Sequence, residues 1–188
     1  MNDLNDVNDL NRGSRGLVLI YTGDGKGKTT AAFGLALRAA GRGFRVHVIQ
    51  FIKGEMETGE IEMIAKALPL ITVERVGKGF TWRRDVVPTF EDHVAAAREG
   101  FARAREAVTA GDYQVVILDE LNVALKKKLL PVEDVVVLLD TRPASLHLVL
   151  TGRGAPPEIL DRADLVTEMR CIKHPFQRGI PAQVGIDK

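Results

Sequence analysis

The nine residues TGDGKGKTT, Thr22 to Thr30, follow directly on the apolar run Leu17-Val18-Leu19-Ile20-Tyr21 and lead into a helix-like stretch from Thr29 to Ala40. Nothing else in the chain constrains the fold as tightly. A glycine-rich turn between a buried strand and a helix aims several backbone N–H groups at one point, beside the positive end of the helix dipole. Such a turn binds phosphate.

Gly27-Lys28-Thr29 supplies the end of a P-loop, with Lys28 as a point charge on the phosphates and the Thr29 hydroxyl as a magnesium ligand. The usual spacing wants a glycine four residues before Gly27, and Thr22 stands there; Gly23 comes one place late. The loop is therefore tighter than the common form, or holds its nucleotide differently.

Short apolar runs recur along the rest of the chain, from Val46 to Phe51, Ile71 to Val76, Val115 to Leu118 and Leu146 to Leu150. Continuous apolar character suits strands buried on both faces. Helix-like stretches alternate with them: Thr29 to Ala40, Gly59 to Ala67, Phe90 to Ala110 and Pro131 to Asp140. The alternation predicts a single-domain α/β P-loop NTPase-like fold over residues 16–188, its mostly parallel central sheet flanked by helices. Phe90, Val94, Ala97, Phe101, Ala104 and Val108 recur at helical spacing and read as one buried stripe.

Three segments stand outside this rhythm. Residues 1–15, with repeated Asn-Asp, are too polar for a core and read as a flexible arm. Residues 75–90 combine glycines, arginines and the only Trp in an irregular loop of the kind that often carries function. The tail from Cys171 to Lys188 is expected to pack over the domain without adding a long regular element.

Size and charge narrow the function. The 188 residues suit one compact domain. The 26 basic residues against 25 acidic give no global field for nucleic acid or a membrane. Lys126-Lys127-Lys128 reads as a solvated helix end. One cysteine rules out an intramolecular disulfide and a multi-cysteine zinc site, and no apolar run is long enough for a membrane span, so a cytoplasmic protein is expected. His47 and His147 fall in strand-like runs and read as structural, His93 as a helix-surface residue, and His174 is given no metal.

A second element completes the phosphate site. Val115-Val116-Ile117-Leu118 ends in Asp119-Glu120, and either carboxylate can bind magnesium directly or through water. Motif chemistry alone therefore predicts magnesium with ATP or GTP and leaves the reaction open. A P-loop ATPase or kinase, with Glu120 orienting water or accepting a substrate proton, and a nucleotide-dependent binding module both remain.

Together with the loop, VIQFIKG (Val48 to Gly54), GFTW (Gly79 to Trp82), VILDELN (Val116 to Asn122), LTGRG (Leu150 to Gly154) and the ending KHPF…AQVGID make residues 15–188 resemble the P-loop type ATP:corrinoid adenosyltransferases. GDGKGKTT looks like that family's own shortened loop. The resemblance implies transfer of the 5'-deoxyadenosyl group of ATP to the cobalt(I) of cob(I)alamin or cob(I)yrinic acid a,c-diamide, with release of triphosphate, in adenosylcobalamin biosynthesis or salvage. It implies that Gly23, Asp24, Gly25, Lys26, Gly27, Lys28, Thr29 and Thr30 hold ATP. Thr29, Asp119 and Glu120 hold magnesium, with Glu120 favoured as the direct contact. Lys28, Glu120 and Arg153 serve the reaction, and Arg153 reaches the triphosphate from the carboxyl edge of the sheet. Phe80 and Trp82 lie against the corrinoid and help displace its lower axial ligand. A homodimer, in which the arm covers the neighbouring subunit's site, and an electron-donating reductase complete the expectation.

Overall fold

The computed structural model describes residues 15–52, 58–76 and 88–187. Residues 1–14 of the expected arm, Phe80 and Trp82 lie outside the described residues.

Six strands form one sheet in the order β3-β2-β4-β5-β1-β6, every neighbouring pair parallel. They are β1 (Val18–Thr22), β2 (Val46–Gln50), β3 (Ile71–Arg75), β4 (Val115–Asp119), β5 (His147–Thr151) and β6 (Leu165–Glu168). The helices are α1 (Lys28–Ala40), α2 (Gly59–Ala67), α3 (Phe90–Thr109), α4 (Leu121–Lys126), α5 (Val132–Thr141) and α6 (Pro157–Leu160). The five expected strands and four expected helices all appear, with ends shifted by no more than one residue. Sequence reading did not include β6, α4 or α6.

Alternation along the strands divides the core into two layers. Val18 and Ile20 of β1, Val116 and Leu118 of β4, and Leu148 and Leu150 of β5 pack with Phe101 and Ala104 of α3, Leu121 of α4 and Leu138 of α5. Leu19, Ile117 and Val149, their immediate neighbours, face the other way onto Ala32, Phe33 and Ala36 of α1 and Ile64 of α2. The sheet is thus covered on both sides, and each fully buried aliphatic contributes roughly 1.5–3 kcal/mol. An α3 capping box fixes where that helix starts: the Asp92 N–H donates to Thr89 Oγ1 at 3.1 Å, and the Thr89 N–H donates to Asp92 Oδ2 at 2.9 Å.

Two expectations need correction. Phe90 does not join the buried stripe of α3, since it is 57% exposed. Twenty helical residues span about 30 Å and five strand residues only about 17 Å, and the buried face of α3 runs only from Ala96 to Val108. The tail does not bury its apolar side chains over the domain either, although Asp187 near its end pairs with Lys26 of the loop. Ile172, Phe176, Val184 and Ile186 are all exposed, and only a short 3-10 turn, Pro175–Arg178, forms there. Two prolines and two glycines break the segment into turns.

Candidate functional site

In a parallel sheet every strand ends at the same edge, and ligands of open α/β folds bind at that carboxyl edge. Register places Gln50 of β2 opposite Asp119 of β4, and Leu118 of β4 opposite Leu150 of β5, so Gln50, Asp119 and Thr151 end three adjacent strands at one level. The loop after β1 meets them there.

Gly23 and Gly27 adopt φ values of 91° and 107°, a region that favours glycine, and Gly27 caps the start of α1 without a side-chain bond. The Ala31 N–H returns to the Gly27 carbonyl at 2.7 Å. The amides of Lys28, Thr29 and Thr30 therefore fall in the first turn, where a helix has no carbonyl of its own for them. Thr30 carries an exposed side chain, and Asp24 and Lys26 flank the loop.

The loop is tight because another part of the chain crosses it. The Met169 N–H donates to the Thr22 carbonyl at 2.9 Å, and the Gly25 N–H donates to the Met169 carbonyl at 2.6 Å. A side chain on Gly25 would put its Cβ 2.8 Å from the Arg170 carbonyl. The extension of β6 thus explains Gly25 without any ligand, and the Gly25 amide is engaged by Met169. Lys26 also meets Asp187 in an ion pair.

Lys28 is buried inside the loop, its ammonium donating to the carbonyls of Gly23 at 2.8 Å and Gly25 at 2.5 Å. Desolvation, and then the nearby positive charge of Arg153, hold its pKa below the usual 10.5, while Glu120, Asp24 and Asp119 pull the other way. Arg153 itself is exposed, after Thr151 and Gly152 at the end of β5. The two cations therefore face a common region.

Asp119 is fully buried and accepts from three side chains. Thr29 Oγ1 donates to Oδ1 at 2.9 Å, Thr151 Oγ1 to Oδ1 at 2.7 Å, and Gln50 Nε2 to Oδ2 at 2.9 Å. Glu120 follows with φ 63°, an uncommon conformation for a non-glycine residue, and begins α4. Its N–H donates to Thr151 Oγ1 at 3.0 Å, which holds the turn after β4 against the end of β5. Asn122, fully buried, donates to the Gly152 carbonyl at 3.3 Å and ties the same two loops together.

Among the described residues no group of three or more His, Cys, Asp or Glu comes together. The Thr29 hydroxyl beside the Asp119 carboxylate nevertheless suits magnesium, a hard cation that takes one or two protein oxygens and completes its shell with phosphate and water.

The structure thus brings Lys28, Thr29, Asp119 and the Gly-rich loop together, with Glu120 and Arg153 near enough to act on Lys28 electrostatically. Sequence reading missed Gln50 and Thr151, although both lie in quoted motifs. His47 and His147 are structural as expected: His147 Nδ1 accepts the Leu17 N–H at 3.2 Å, and His47 Nδ1 lies 2.7 Å from Thr72 Oγ1.

Residues 14–187 match the family described as ATP:corrinoid adenosyltransferase BtuR/CobO/CobP. A corrinoid adenosyltransferase of Pseudomonas aeruginosa is 40% identical over 176 residues, 94% of this chain and 85% of its own. That of Escherichia coli K12 is 41% identical over 173 residues, 92% and 86% of the two chains. A Sinorhizobium corrinoid adenosyltransferase is 42% identical over 175 residues, 92% and 80% of the two.

Proposed function

The chain belongs to the ATP:corrinoid adenosyltransferase family, and from that premise we propose how its residues carry the transfer of the 5'-deoxyadenosyl group of ATP to the cobalt of a reduced corrinoid. The observation that carries the proposal is the junction of the short loop with β4, where buried Lys28 and the Thr29–Asp119 pair face one point.

Cobalt(I) is itself the nucleophile and has no proton to lose, so the protein needs no general base. Its electron pair forms the bond to C5' while the C5'–oxygen bond breaks and that pair leaves on triphosphate. The protein must hold C5' in line and stabilise the leaving charge.

Lys28, the amides at the start of α1 and Arg153 do the second task. Lys28 exchanges its loop carbonyls for phosphate oxygens, and Lys26 assists from the flank by leaving Asp187. A magnesium ion, held by the Thr29 hydroxyl and by Asp119 or Glu120, would neutralise further triphosphate charge. The contact between Thr29 and Asp119 favours Asp119 over Glu120 as the carboxylate that would hold the ion.

The corrinoid lies against Phe80 and Trp82, whose flat apolar surfaces keep water from cobalt and favour loss of the lower axial ligand. Folded Trp82→Ala protein that adenosylates at the wild-type rate would remove this assignment. The reading includes a cytoplasmic homodimer, an electron donor that supplies cobalt(I), and an arm that covers the neighbouring site; loss of residues 1–14 without loss of activity contradicts the cover.

Anaerobic incubation with magnesium ATP and chemically reduced cobalamin tests the function. A light-sensitive adenosylcorrinoid spectrum is expected, and a spectrum unchanged by ATP overturns the assignment.

A further inference from the structure

We propose that Gln50 is a positioning residue for the triphosphate end of the site, orienting Asp119; the role rests on the reading of Thr29 and Asp119 as the magnesium-binding pair. Gln50 ends β2 and is fully buried, where a strand position calls for an aliphatic side chain. Burying an amide is unfavourable unless its polar atoms are bonded. Here Nε2 makes one bond, 2.9 Å to Asp119 Oδ2, and Oε1 has no partner among the described residues. The amide therefore serves Asp119 and gains little else.

The distribution of donors on the carboxylate explains why it is needed. Thr29 and Thr151 both donate to Oδ1, from α1 and β5, whereas Gln50 donates to Oδ2 from β2. The last torsion of an aspartate is broad and sets no orientation of its own. Donors from α1 and β5 on one oxygen and from β2 on the other hold the plane of the group from both sides. Gln50 thus keeps Oδ1 directed at the Thr29 hydroxyl, as partners of ligating carboxylates do elsewhere. It also gives VIQFIKG a role in the site that the loop itself does not supply.

The test is calorimetry of ATP binding to the full chain, with a magnesium titration and with EDTA, for wild type, Gln50→Met and Gln50→Glu. Gln50→Met keeps the volume and removes the donor; it should raise the magnesium concentration for half-maximal tight binding about tenfold and leave binding in EDTA unchanged. Gln50→Glu sets a second carboxylate against Asp119 and should raise it further. Gln50→Asn, shorter but still a donor, should recover part of the loss if Gln50→Met proves too unstable to purify. An unchanged magnesium requirement in folded Gln50→Met, or loss in EDTA and magnesium alike, overturns the proposal. Wild-type protein that binds ATP equally with and without magnesium overturns the magnesium-pair reading itself, a different outcome from failure of Gln50 alone.

Discussion

The two edges of the sheet use polar residues in opposite ways. At the amino edge, Asp164 accepts the Val18 N–H at 2.8 Å and pairs with Arg15, His147 accepts the Leu17 N–H, and Gln114 accepts the Arg45 N–H at 2.8 Å. The His47 ring stacks on Tyr113 with centroids 4.9 Å apart, and Arg45 lies over the same ring. These contacts close the strand starts. At the carboxyl edge Lys28, Gln50, Asp119, Asn122 and Thr151 are buried, the amide oxygens of Gln50 and Asn122 lack partners among the described residues, and Glu120 sits at positive φ. The amino edge uses its polar groups to close strand starts, whereas the carboxyl edge gathers the residues proposed to hold the nucleotide, in keeping with strain and perturbed groups collecting at functional sites.

The largest effect that could break this contrast lies at Lys28. Lys28→Met should lower turnover roughly 10²- to 10³-fold, as loss of a transition-state donor does, without lowering the thermal midpoint. The folded pKa of Lys28 lies below its ordinary 10.5, so the unfolded chain holds the proton more firmly and stability rises as pH climbs toward 10.5. That alkaline gain should be missing from Lys28→Met when the two proteins are unfolded side by side across the pH range. Asp119→Asn comes next, with about a hundredfold loss of kcat/KM and a raised magnesium requirement.

Much of this contrast was legible in the sequence. TGDGKGKTT after an apolar run identified the loop, and VILDE identified the strand that faces it. What pairs with what was not legible. Gln50 meets Asp119 only because β2 and β4 are neighbours in register, sixty-nine residues apart in sequence. Leu165–Glu168 escaped notice because β6 is an edge strand with all four residues exposed, so no apolar alternation marks it. The six residues of α4 were too few to show a period. The close passage of Met169 and Arg170 over Gly25 was likewise beyond any local pattern.

Smaller effects sharpen the same comparison. Gly25→Ala should cost about 1–3 kcal/mol of stability and raise KM for ATP, because its Cβ would press the Arg170 backbone against the loop. Asp164→Ala should cost about 1–3 kcal/mol, measured by urea unfolding, with kcat/KM unchanged. Burial lowers the pKa of His147 from 6.5, aided by Arg142, and burial lowers that of His47. Their contribution is present above pH 6.5 and is lost as pH falls through the lower folded values, since protonation must break the Leu17 N–H contact at His147. His147→Asn should flatten that acid decline in a chemical-denaturation series and leave the reaction untouched, the smallest effect of the five.

The most direct measurement is phosphorus NMR of a single anaerobic turnover with magnesium ATP and cobalt(I) corrinoid. Attack at C5' with the loop holding the leaving group predicts one triphosphate for each adenosylcorrinoid formed, and none without corrinoid. Orthophosphate released at the same rate with or without corrinoid would contradict it and make the carboxyl edge the site of an ATPase.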